Sequence, residues 1–68
     1  MTNFESWVKT LDRVAEERQL SRRDQLLLDA AEVQLLLGNL GAASDLIFKV
    51  NDYHIVATLN NLKEKEEW

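Results

Sequence analysis

Residues 21–39 read Ser21-Arg22-Arg23-Asp24-Gln25-Leu26-Leu27-Leu28-Asp29-Ala30-Ala31-Glu32-Val33-Gln34-Leu35-Leu36-Leu37-Gly38-Asn39. Ser21 followed by Asp24 has the spacing of a helix start, where two short polar side chains satisfy backbone N–H groups orphaned in the first turn. Gly38-Asn39 is a stop signal, because both residues tolerate the left-handed backbone angles that close a helix. Between the two signals, leucine, alanine and valine cover most of the helical circumference, leaving Asp29, Glu32 and Gln34 as the polar remainder. A helix apolar nearly all round is packed on several sides. The stretch therefore predicts a central helix over about 22–37.

Upstream, Thr2 and Glu5 form a second start signal, followed by Phe4, Trp7, Val8, Leu11, Val14 and Ala15 at three- and four-residue steps. That period predicts an amphipathic helix over about 3–18 with one apolar stripe. Downstream, a connection of two or three residues requires a tight hairpin with a third helix that begins near Leu40 and turns Ala43, Leu46, Ile47 and Val50 inward. Gly41, Ala42 and Ala43 are small enough to let the two helices approach closely where the chain reverses. Asn51-Asp52 then offers a cap for a fourth helix carrying Tyr53, Ile55, Val56, Leu59 and Leu62. The stripe Leu46, Val50, Tyr53, Ala57 runs on without a phase break, so one long helix from 40 to the mid-60s is the alternative; the cap favours a break. The expected fold is all-α: one domain, residues 1–68, built as a small antiparallel bundle of three or four helices over about 3–18, 22–37, 40–50 and 52–65.

Size and composition narrow the function classes. A chain of 68 residues buries only about 60% of the surface its unfolded form exposes, and small scaffolds usually add a disulfide, a metal or a partner. There is no cysteine, and His54 is the only histidine, so disulfides are excluded and a zinc site has almost no ligands to draw on. A partner or a second copy is the device left. The net charge of −4 is the wrong sign for gripping a phosphate backbone, which argues against direct nucleic-acid binding. The N-terminus lacks the basic start and apolar run of a signal peptide, and Leu26 to Leu37 is too short and too interrupted to span a bilayer. The expectation is a cytoplasmic protein with no membrane span.

Residues suited to catalysis are few. Ser6, Ser21 and Ser44 are the hydroxyls and His54 the only imidazole to activate one. Asp29 with Glu32, and Asp12 with Glu16, lie three or four apart on helix faces, but no histidine accompanies them, so they read as solvated acidic faces. No glycine loop for phosphate is present. The chain is therefore expected to be no enzyme and to hold neither cofactor nor metal.

Binding signals are better represented. Tryptophan and arginine are over-represented where interfaces carry most of their energy. Trp7 fits the first helix's core stripe and is also a candidate anchor, while Trp68 has no conventional core position. Arg18, Arg22 and Arg23 form a basic cluster that either pairs with Glu17 and Asp24 or meets an acidic partner. Together with Leu28, Leu35, Tyr53 and Val56 from the second and last helices, these make the expected partner-binding set: Trp7, Leu28, Leu35, Tyr53, Val56, Trp68, Arg18, Arg22 and Arg23. The function expected is a protein–protein interaction module (adaptor, small chaperone-like subunit or inhibitor of a larger protein) that uses apolar helix faces toward a protein partner or a second copy.

Two family resemblances sharpen this. Leu27, Ala31, Gly38, Asn39, Leu40, Ala43, Ile47 and Val50 fall at the positions of one tetratricopeptide repeat, and residues 27–50 resemble that family's helical hairpin. Ala30 and Gln34 depart from its large apolar and aromatic positions, and no proline closes the unit. The resemblance implies peptide or subunit binding on a helical surface, and a single repeat needs other elements to cover it. Separately, Thr10-Leu11-Asp12-Arg13-Val14, Leu20-Ser21 and Ala30-Ala31-Glu32 are similar to the Hha/YmoA family of small helical nucleoid-associated regulators. That likeness implies a bacterial regulator acting through a DNA-binding partner.

Overall fold

A computed structural model describes residues 4–65, and these form four helices: α1 (Phe4–Arg18), α2 (Arg22–Leu36), α3 (Leu40–Phe48) and α4 (Tyr53–Lys65). Ser21 opens α2 as its spacing predicts. Its backbone is extended, with φ −61° and ψ 161°, and its Oγ accepts the Asp24 N–H at 3.2 Å. Gly38 closes α2 with φ at 81°. Its N–H donates to Leu35 O at 2.9 Å, and the Asn39 N–H reaches back to Gln34 O at 2.8 Å. This pair of reversed bonds is the left-handed closure that only glycine adopts without steric cost. Asn39 then opens α3, its Oδ1 accepting the Ala42 N–H at 3.5 Å.

The chain breaks after Phe48. Lys49 and Val50 donate to Leu46 O and Ile47 O in tightened final turns, and Asp52 Oδ1 accepts the His54 N–H at 2.9 Å to start α4. Tyr53, which continued the in-phase stripe of a single long helix, is 80% exposed, so that alternative fails. Four helices it is.

Polar contacts tie two chain connections, α1 to α2 and α3 to α4, together at one end of the bundle. Arg18 Nε meets Asp52 Oδ2 at 3.1 Å, joining the end of α1 to the start of α4. Asp24 Oδ1 accepts the Asn51 N–H at 3.3 Å, and Arg23 Nη1 reaches Lys49 O at 3.4 Å, joining the start of α2 to the end of α3. The helices therefore run alternately up and down. Each packs on two neighbours in a ring: α1 touches α2 and α4, and α3 touches α2 and α4, while the diagonals do not meet.

The ring corrects one expectation. No helix is central, and α2 has an inner face and an outer one. Leu28, Ala31 and Leu35 point into the core with Trp7, Leu11, Ile47, Ile55 and Leu59, all essentially inaccessible. Phe4 meets Trp7 edge-to-face with ring centroids 5.1 Å apart, an arrangement aromatic quadrupoles favour. Ala43 is the small residue at the α2–α3 crossing, whereas a Cβ on Gly41 would meet nothing within 4 Å, so Gly41 has no role in the close approach expected of it.

Candidate interaction surface

Most of the large apolar side chains left exposed among the described residues lie on the outer face of α2. An α-helix advances about 100° per residue, which places Arg22, Leu26, Ala30, Val33 and Leu37 within one sector of roughly 80°, with Leu36 beside them. Leu26 is 58% exposed, Val33 55%, Leu36 57% and Leu37 73%. An exposed leucine alone is ordinary, but a contiguous row of them is not. Two further large side chains are open elsewhere: Phe48 at the end of α3, with the Lys63 ammonium 5.2 Å from its ring centroid, and Tyr53, whose ring stands edge-on to His54.

The partner-binding set divides accordingly. Trp7, Leu28 and Leu35 are corrected: they are at most 1% exposed, sealed in the protomer's own core, and present nothing to a partner. Leu28 and Leu35 lie inward because α2 meets α1 and α3 along that line, and Trp7 because it falls on the core stripe of α1. Val56 is half-buried against the core, and Tyr53 is open. The three arginines do not act as one cluster. Arg18 crosses to Asp52 rather than pairing with Glu17, and Arg23 binds Asp24 at 3.0 Å. Arg22 is exposed and takes part in neither ion pair. Trp68 and the cap residue Thr2 lie outside the described residues.

Sequence reasoning chose the wrong leucines of α2. The signal that separates them was present: 26, 30, 33 and 37 are spaced four, three and four apart, a second seam on the same helix. It could be assigned to the outside only once the neighbours of α2 were known.

Charged groups inside the bundle were also read differently. Glu32, expected on a solvated acidic face with Asp29, is 8% exposed, while Asp29 is open. Burial pushes the Glu32 carboxyl up to about 8, reinforced by the Asp12 side chain of α1 at hydrogen-bonding reach and by the Asp29 charge. Its Oε2 has no hydrogen-bond donor, as is also true of the buried Ser44 Oγ. Asp24 directs its carboxylate to Arg23, the ion pair its position offered, and also to the Asn51 N–H rather than to its own helix start. For Asp52, desolvation is the largest single influence and pushes the carboxyl up, but the Arg18 guanidinium and the N–H groups of His54 and Ile55 together outweigh it and hold the carboxyl below its ordinary value.

Among the described residues no group of three His, Asp or Glu side chains is placed to hold a metal ion, and no helix is long and apolar enough to cross a membrane. Compared with known proteins, the chain matches no family, no curated protein and no solved structure. The positions that carry the tetratricopeptide resemblance lie along the α2–α3 hairpin, where Gly38 closes the turn and Ala31, Ala43, Ile47 and Val50 fill the core.

Proposed function

We propose that this protein is a protein–protein interaction module that works through an apolar helix face. One observation carries the reading: α2 keeps Leu26, Val33, Leu36 and Leu37 more than half exposed although the chain completes a closed core without them. Leaving that much aliphatic surface in water forgoes roughly 25 cal/mol per Å². Burial by another polypeptide recovers it. The net charge of −4 favours a protein partner over a nucleic acid.

The test is an apolar-surface fluorophore. The protein should enhance its emission, and the double variant Leu26→Lys with Leu37→Lys should abolish the enhancement at unchanged helicity, since neither side chain belongs to the core. A protein that leaves the dye dark, or a double variant that still lights it, would remove the basis of the proposal.

A further inference from the structure

We infer that Glu32 of α2 and Asp12 of α1 hold one proton between them, and that this proton latches the seam between the two helices. The latch goes beyond the interaction-module reading and stands independently of it. Its basis is a buried carboxyl pair with no cation to answer it.

An ionised carboxylate accepts hydrogen bonds and donates none. Two carboxyl groups at hydrogen-bonding reach therefore need a proton on one of them. Glu32 is such a group: it is 8% exposed, its Oε2 is enclosed without a donor, and the Asp12 side chain lies within reach across the seam. Asp29 adds a second negative charge from its own helix. The other charged residues nearby in α1, Lys9, Arg13 and Glu16, are exposed, and neither base pairs with Glu32. On α3, the other helix packed on α2, Asp45 and Lys49 are exposed and do not act on it, and α4 does not touch α2. Every charge that acts on Glu32 is thus negative. Burial first, then Asp12 and Asp29, delay the loss of its proton to about 8.

The fold turns this pair into a latch. The seam is one of those that close a ring, so it can part while α1 stays on α4 and α2 stays on α3. Arg18 and Asp52, at 3.1 Å, tie α1 to the start of α4 as it does so. Asp12 is exposed and gives the proton a path to water. While the proton is held, an acid donates to a carboxylate, a bond stronger than one between neutral groups. Once the proton has left, two like charges face each other with one of them sealed from solvent, and they cannot both remain so. Parting the helices lets water reach Glu32 and uncovers Trp7 and Leu11 on the core face of α1.

Trp7 reports the seam. With Trp68→Phe as the background, its emission should move to the red as pH rises, with the midpoint at about 8, while circular dichroism keeps its helical signal. Infrared spectra at neutral pH should contain a protonated-carboxyl band that Glu32→Gln removes. Glu32→Gln should also hold the emission constant over the whole range. Asp12→Asn should move the midpoint toward acid, because the carboxylate that accepts the proton is gone. Absence of the infrared band, or a midpoint indifferent to Asp12→Asn, would overturn the shared proton. Emission that stays constant while the band titrates would mean that the side chain swings out alone, and would overturn the latch. So would a red shift that persists in Glu32→Gln, or one that arrives together with loss of the helical signal.

Discussion

Gln19 ends α1 with φ at 51°, its N–H donating to Ala15 O at 3.1 Å. A glutamine gains nothing from that left-handed backbone and suffers its Cβ clash. Gln19→Gly should therefore stabilise the protein by about 1 kcal/mol, less the extra freedom glycine gives the unfolded chain, read as a higher midpoint in urea. Glu32 stores a second local cost. Its carboxyl is raised from 4.5 to about 8 in the folded protein, so the fold binds a proton there that the unfolded chain releases earlier. Its stabilising contribution is complete below pH 4.5 and is lost as pH rises through about 8. Glu32→Gln, which keeps the shape and cannot ionise, should flatten that decline and raise the melting temperature most at alkaline pH. Thermal melts of both proteins across the range check it; parallel pH profiles would contradict it.

At the level of elements, α2 has two faces of equal greasiness and unequal consequence. Leu28→Ala should cost about 2–5 kcal/mol, whereas Leu26→Ala should stay within about 0.5 kcal/mol; chemical denaturation of the pair separates them. Asp52 caps α4 and holds Arg18 of α1, so Asp52→Ala should cost about 1–2 kcal/mol near neutrality. That difference should vanish in acid, because the carboxyl is held low by folding and its contribution disappears as pH falls through its depressed value. Helix boundaries were legible because Ser21, Gly38-Asn39 and Asp52 are chemical punctuation whose effect is local. The end of α1 was approached only by where its stripe stopped, since Gln19 advertises nothing. What periodicity could not supply was direction. Leu26 and Leu28 are the same residue on the same helix, and only the positions of α1 and α3 decide which one is dry. Glu32 illustrates the same limit: three residues from Asp29, it shares a face by spacing alone and is carried inside by the ring.

For the whole molecule, the radius of gyration is 10.7 Å, close to the ~11 Å of a compact chain this long. The core is closed within one protomer, with α1 and α4 covering the hairpin of α2 and α3. The fold therefore needs no second chain to close its core. The outer row of leucines also governs colloidal behaviour. Near neutrality the net charge of −4 keeps copies apart, but at the isoelectric point near 4.8 that repulsion vanishes while the leucines are as wet as before. Mild acid is thus where this protein is least soluble, and salting-out there begins on the flank of a single helix.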